Sequence, residues 1–263
     1  MIERAIAFEF VRAATNGRTE PLVMVCETER GESVELFCKL SVGCDQGAIN
    51  LTREAVSACL AADLGLPVPV PYFVEIPSAL SATIGDLLVA RRMDCSLPLA
   101  FGSMRANQFS PWIGGSKISK VLLPTAAATL VFDGIIQNPD RRIGNPNCLV
   151  RGDEIRLIDH ELAFAHKLLL LWRAPWVLGG LQSLVEPANR HIFWSELVGQ
   201  QIDFGPITTA WRALSDGRLR EYVDIIPKEW AIALPEINAA VRLIADARDN
   251  IDSCIAEVRR ILA

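Results

Sequence analysis

No two of the seven cysteines in this chain form a CxxC pair, and none joins a Cys/His cluster with zinc-ligand spacing. An odd count without a framework reads as reduced, buried thiols in a reducing compartment. Positive charge is also in short supply. Lys and Arg total 26 against 31 Asp and Glu, a net charge of -5 with a pI near 5.3, which gives no support for a protein built to grip nucleic acid through its phosphates. No GxxxxGK[ST] is present, so a Walker-type phosphate loop is excluded. There are no internal repeats and no low-complexity segment. The greasy stretch Lys167–Trp172 falls far below the roughly 20 residues needed to cross a bilayer. The start of the chain is too acidic, and its apolar run too short, for a signal peptide. The expectation is a soluble cytoplasmic protein.

What is present is ordinary globular composition: 51% hydrophobic and 22% charged over 263 residues, enough for one large domain or two lobes sharing a cleft. Ala5–Val11, Leu22–Cys26 and Val34–Leu40 read as antiparallel strands, with turn signals at Thr15-Asn16-Gly17 and Arg30-Gly31. A helix follows, capped by Asn50 or Thr52, with Ala55, Val56, Cys59, Leu60 and Leu64 on one face. Gly65 ends it, and Pro67, Pro69 and Pro71 forbid its continuation. Tyr72–Ile76 and Asp86–Arg92 read as two further strands. Beyond Met93 the character turns helical. Pro124–Gln137 is a helix buried nearly all round with Pro124 in its first turn, and the remainder holds three or four amphipathic helices, the last near Ile237–Leu262. The division is therefore a β-rich region of residues 1–92 and an α-helical region of residues 93–263.

The segment from Asn138 to Glu161 carries the chemistry. Leu149-Val150 and Ile155–Ile158 form a small β-hairpin, with one carboxylate and two carboxamides before it and a second carboxylate after it. Kinase catalytic loops use that order: an Asp to orient a hydroxyl, an Asn five residues on for Mg²⁺, then a strand-terminal Asp for the metal. Here Asp140 is the candidate catalytic residue and Asp159 the strand-end metal ligand. Asn145 has the five-residue spacing, whereas Asn147 directly precedes the strand, so the carboxamide ligand is one or the other. Each residue has a plainer reading, Asp140 as a turn aspartate and Asp159 as a solvated strand end. Lys39 sits in an otherwise apolar strand end, and Glu54 on the next helix is its natural partner; a Lys–Glu pair gripping the nucleotide phosphates is a kinase requirement. Asn16, Gly17, Arg18 and Thr19 lie between the first two strands, where a phosphate-covering loop belongs. Met93 is taken as a further nucleotide contact. Arg141 and Arg142 serve either to neutralise phosphoryl charge or to form local ion pairs. Pro111–Lys117 is a loop whose tryptophan either packs or meets a substrate or partner.

Four blocks resemble the HipA-like kinases, in particular the shorter bacterial proteins of that kind: Gly17 to Val25, the Lys39 strand, Glu54 through Gly65 to Pro71, and Asn138 to His160. Ile226–Trp230 resembles a C-terminal segment of the same proteins. The resemblance implies an α+β, bilobal protein-kinase-like fold, with a β-rich nucleotide-binding N-lobe and a helical C-lobe. It also implies ATP with Mg²⁺, and phosphorylation of a serine or threonine hydroxyl. Longer HipA toxins carry an additional N-terminal region and act with a DNA-binding antitoxin. This chain starts almost directly at the nucleotide lobe, so the expectation stops short of toxin activity. It leaves a protein or small-molecule hydroxyl substrate and a regulatory protein partner. Two other readings stand beside it, a metabolite or antibiotic kinase and a non-catalytic nucleotide-binding regulator.

Overall fold

The computed structural model describes residues 2–15, 17–168 and 172–263. The chain forms two compact units: Met1–Cys59, Pro69–Asn107 and Asp224–Ile237 make up the first, and Leu60–Val68, Gln108–Val223 and Asn238–Ala263 the second.

The first unit is built on a closed five-stranded barrel. Strands β1 (Glu3–Ala13), β2 (Leu22–Thr28) and β3 (Ser33–Lys39) run antiparallel in sequence order. Helix α1 (Ala48–Asp63) then leads to β4 (Pro71–Glu75), which pairs parallel with β1. Strand β5 (Leu99–Met104) lies between β3 and β4 and closes the ring. Closure gives each barrel strand a hydrogen-bonded neighbour on both sides among the described residues. Alternation sorts the faces: Leu22, Met24, Cys26, Leu36 and Cys38 point into the core with Ala5, Ala7 and Ala100, while Ile6 and Phe8 stay exposed on β1. Small residues are needed where the walls approach. A Cβ on Gly102 would stand 2.5 Å from Val74 Cγ2. Trp230 packs edge-on against Phe73 with ring centroids 5.2 Å apart, and its Nε1–H donates to the Leu99 carbonyl.

Three local expectations change here. Asp86–Arg92 is not a strand. Asp86 caps a helix by accepting from the amides of Leu88 and Val89, and α3 (Leu87–Asp94) follows the short α2 (Ser78–Ser81). A four-residue apolar run is ambiguous between strand and helix, and the Asp cap decides it. Secondly, strand character extends past Met93, since β5 belongs to the barrel. Thirdly, α1 begins before Asn50 and Thr52, and its middle is buried on every face rather than one. It does end as expected, with Gly65 in the left-handed region at φ +73° and the Leu66 amide reaching back to the Ala61 carbonyl.

In the second unit, β6 (Ser110–Pro111), β7 (Cys148–Arg151) and β8 (Glu154–Leu157) form a small antiparallel sheet. The β7–β8 turn is the two-residue Gly152-Asp153, with Gly152 at φ +57°. Helix α4 (Leu123–Ile135) has its proline in the first turn and is buried from Thr129 to Ile135. Beyond it lie α5 (Trp194–Leu197), α6 (Gly205–Arg212), α7 (Asp216–Asp224), α8 (Leu234–Asp249) and α9 (Ile251–Leu262), so the long terminal helix expected near Ile237–Leu262 is broken at Asn250. Of the two readings open for Trp112, the structure shows packing: it is buried edge-on against Phe193 at 5.5 Å. Six cysteines are buried, Cys95 is exposed, and none forms a disulfide among the described residues. No described helix is long and apolar enough to cross a membrane.

Candidate active site

Helix α4 delivers the chain to the Asn138–Asn147 loop, and the loop feeds directly into the β7–β8 ribbon. Asp140 stands at its centre. Its Oδ2 accepts from Asn145 Nδ2 at 2.8 Å and from Asn147 Nδ2 at 3.0 Å. Its backbone amide donates to Asn138 Oδ1 at 3.2 Å, and Arg142 Nε lies 3.8 Å from Oδ1. Both carboxamides thus gather on one carboxylate oxygen. An amide that spends its N–H on Asp140 turns its own oxygen to the opposite side, where a hard cation can use it.

Arg141, next in sequence, points the other way and is completely buried. Its Nε donates to Asp133 Oδ2 at 2.6 Å, its Nη1 to the carbonyls of Asn147 and Ile158, and its Nη2 to His160 Nε2 at 2.8 Å. Because a guanidinium only donates, His160 accepts there and carries its proton on Nδ1. Asp133 lies inside α4 without solvent exposure. Its Oδ2 also accepts from His191 Nε2 at 3.0 Å, and its Oδ1 from Asn138 Nδ2 at 2.9 Å. His191 Nδ1 accepts from the Phe193 amide at 3.3 Å, so that ring carries its proton on Nε2. Burial acts to raise the Asp133 pKa, but the Arg141 charge and the His191 hydrogen bond outweigh it and hold the carboxyl below the usual range. His191 is moved down, chiefly by burial, against the opposing pull of Asp133.

The backbone is unusual at the same place. Four of the six non-glycine residues with positive φ among the described residues, Gln137, Asn147, Asp159 and Phe164, flank this ribbon. Asn and Asp tolerate that region best, which fits their use at 147 and 159. Left-handed residues on both flanks of the ribbon's base redirect the chain, and Arg141 binds the carbonyls of Asn147 and Ile158 there. The Ile158 amide closes the base by donating to the Asn147 carbonyl at 3.1 Å. Carboxylate oxygens of Asp159 and Glu161 lie within 4.8 Å of each other, a second pair of hard oxygen donors. Burial pushes the neighbouring Cys148 thiol up to about 12, so it is no nucleophile.

In the first unit, Lys39 ends β3 and its ammonium forms an ion pair with Glu54 of α1. Both are buried, at 8% and 3% exposure, so each charge depends on the other. The loop between β1 and β2 is fastened at its far side. Arg92 Nη2 donates to the carbonyls of Thr19 at 3.0 Å and Glu20 at 2.8 Å, and Arg18 pairs with Asp45 at 2.5 Å on the surface. Gly17 adopts φ +109°, a conformation glycine takes readily, and Thr19 is buried. Asn16 lies outside the described residues. Met93, on α3, is buried in the barrel core cluster. Reading the sequence alone missed Asp133 and His191. The available signals were one acidic residue in an apolar helix and one of only three histidines.

Residues 7–174, more than half of the chain, match the HipA-like kinase family. No curated protein matches the chain. Among solved structures, the crystal structure of the Helicobacter pylori proinflammatory kinase CtkA aligns over 96% of this chain and 96% of its own, with a TM-score of 0.51 and 11% identity. That likeness speaks for the fold, which is kinase-like and mixes helix with strand. The chain belongs to the HipA-like kinase family. It is a phosphotransferase of the kinase type.

Proposed function

We propose that this chain transfers the γ-phosphate of ATP to a serine or threonine hydroxyl of a protein, in the cytoplasm and with Mg²⁺. The supporting observation is the cluster at Asp140, where Oδ2 is held by two carboxamides while Oδ1 has the Arg142 guanidinium 3.8 Å away, beyond hydrogen-bond reach. In this reading Oδ1 accepts the hydroxyl proton and aims the oxygen at the γ-phosphorus, while Asn145 and Asn147 fix the rotation of the carboxylate. The carboxamide oxygens and Asp159 would hold the cation, which neutralises charge on the phosphates when bound. The buried Lys39, steadied by Glu54, would bind the α- and β-phosphates, and the Gly17–Thr19 backbone would cover them. The nucleotide is thus assigned to the part of the chain around residues 1–92, and the transfer chemistry to residues 93–263. A regulatory protein partner belongs to the same proposal.

The test is transfer from γ-labelled ATP, with Mg²⁺ and then with EDTA, to lysate proteins and to a panel of small alcohols. Label is expected on protein hydroxyls only, and only with Mg²⁺. Asp140→Ala should lower kcat by about 10² to 10⁴-fold, with ATP affinity unchanged. Normal transfer by that variant would remove the proposed base, and label confined to small alcohols would remove the protein substrate.

A further inference from the structure

We propose that Asp133 and His191 are positioning residues for phosphoryl transfer, acting through Arg141 to set the Asp140 loop and the Ile158–Asp159 turn in one register. The inference deepens the function proposed above and rests on the roles given there to Asp140 and Asp159.

Asp133 occupies a core position of α4 beside Leu130, Val131 and Phe132, all without measurable exposure. Burying a carboxylate and a guanidinium carries a heavy desolvation penalty, and apolar replacements for such a pair are often as stable or more so. Stability alone therefore gives little reason for the pair, whereas geometry gives a specific one. The guanidinium is a rigid planar fork, so fixing one edge fixes the rest. Asp133 fixes the Nε edge, and the Nη1 corner then reaches two carbonyls at the base of the β7–β8 ribbon, one just before the strand entering it and one just after the strand leaving it. The neighbouring residue in sequence is Asp140. One of those carbonyls is that of Asn147, and the other immediately precedes Asp159. A rotation at Asp133 is thus transmitted to all three.

His191 fixes that rotation. It donates to the same Oδ2 that receives Arg141, Asn138 holds the other oxygen, and the Phe193 amide locks the imidazole from behind. The His191 backbone also bridges to Arg142, one residue beyond the guanidinium. None of these groups needs to touch substrate. Their effect is to hold reacting groups within a fraction of an ångström, and an error of about 1 Å costs on the order of a hundredfold in rate.

The experiment compares wild type, His191→Leu, His191→Gln and Asp133→Asn as the full chain. It reads autophosphorylation and ADP release with MgATP, together with amide hydrogen exchange. His191→Leu leaves the Asp133–Arg141 pair in place, so it keeps the test open if Asp133→Asn fails to fold. For His191→Leu we expect kcat to fall about ten- to a hundredfold, with KM for ATP within about twofold. His191→Gln, which restores an N–H donor, should recover most of the loss. Protection of the Asn145, Ile158 and Ile192 amides should fall about tenfold or more, while α8 and α9 keep theirs. Unchanged kcat and unchanged local protection in His191→Leu would overturn the proposal. So would a loss of protection spread evenly over the whole second unit, which marks a structural role only. Absence of any ADP from wild type would instead remove the function proposed above, and the exchange arm would still decide whether the network sets the loops.

Discussion

Arg141 and Asp133 form a salt bridge at 2.6 Å in which neither side chain has any exposed surface. Eight residues apart in sequence, they tie the last turns of α4 to the loop that follows it. Arg141→Met should destabilise the protein by about 3–5 kcal/mol, because it leaves the Asp133 carboxylate buried without its cation. The double variant Asp133→Leu/Arg141→Met should recover part of that loss. Urea unfolding of wild type and the two variants measures it, and a double variant no more stable than the single would contradict the argument.

Lys39 and Glu54 make the corresponding pair in the first unit. Glu54→Gln keeps the shape and removes the charge beside the Lys39 ammonium. We expect ATP affinity to fall about tenfold, equivalent to about 1.4 kcal/mol, with a parallel loss of stability. Isothermal titration with an ATP analogue checks the first and thermal melting the second. Unaltered nucleotide affinity in both Glu54→Gln and Lys39→Met would separate this pair from nucleotide binding.

Acid should weaken the second unit in two stages. The His191 pKa is lower in the folded chain than when unfolded, mainly through burial. Above its ordinary value near 6.5 the ring is neutral in both states and contributes no slope. As pH falls below that value the unfolded chain takes up a proton that the folded chain refuses, so stability drops by up to about 1.4 kcal/mol per pH unit. Asp133 acts lower still. Its depressed folded pKa gives stability that is complete above its ordinary value near 3.8 and lost as pH falls through the acid range below it. Urea midpoints measured from pH 7.5 to 5 should slope in wild type and flatten in His191→Gln. Identical slopes would show that another group carries the effect.

The barrel supplies a simpler test. Gly102→Ala would push a methyl group toward Val74 and Leu36 inside a closed ring, where neither wall can retreat freely. Overpacking of this kind costs about 1–3 kcal/mol. Thermal unfolding should show the loss, and an unchanged melting temperature would mean that the barrel adapts more readily than its spacing indicates.

Much of the candidate site was legible because its signals are local. The five residues from Asp140 to Asn145, the Gly152-Asp153 turn and the strand-end Asp159 are near neighbours along the chain, and short-range spacing dictates the loop and the ribbon. The Lys39–Glu54 pairing was readable too, since an apolar strand end cannot hold a lysine without a nearby carboxylate. Segment 86–92 was misread because Leu87, Leu88, Val89 and Ala90 satisfy a buried strand as well as a short helix. Asp86 settles the matter only through hydrogen bonds that require the helix to exist. Even the choice between Asn145 and Asn147 looks different in three dimensions, because both carboxamides reach the same oxygen.

The amino-acid order by itself determined β1 to β4, the β7–β8 ribbon, the catalytic-type loop and the residue types a phosphotransferase needs, since each depends on neighbours a few positions apart. Only the tertiary structure decided what supports them. His191 meets Asp133 across 58 residues, and β5 closes a barrel from beyond the apparent change in character. Such pairings depend on how distant segments pack, and a charge buried by packing looks, in sequence, like any other acidic or basic residue.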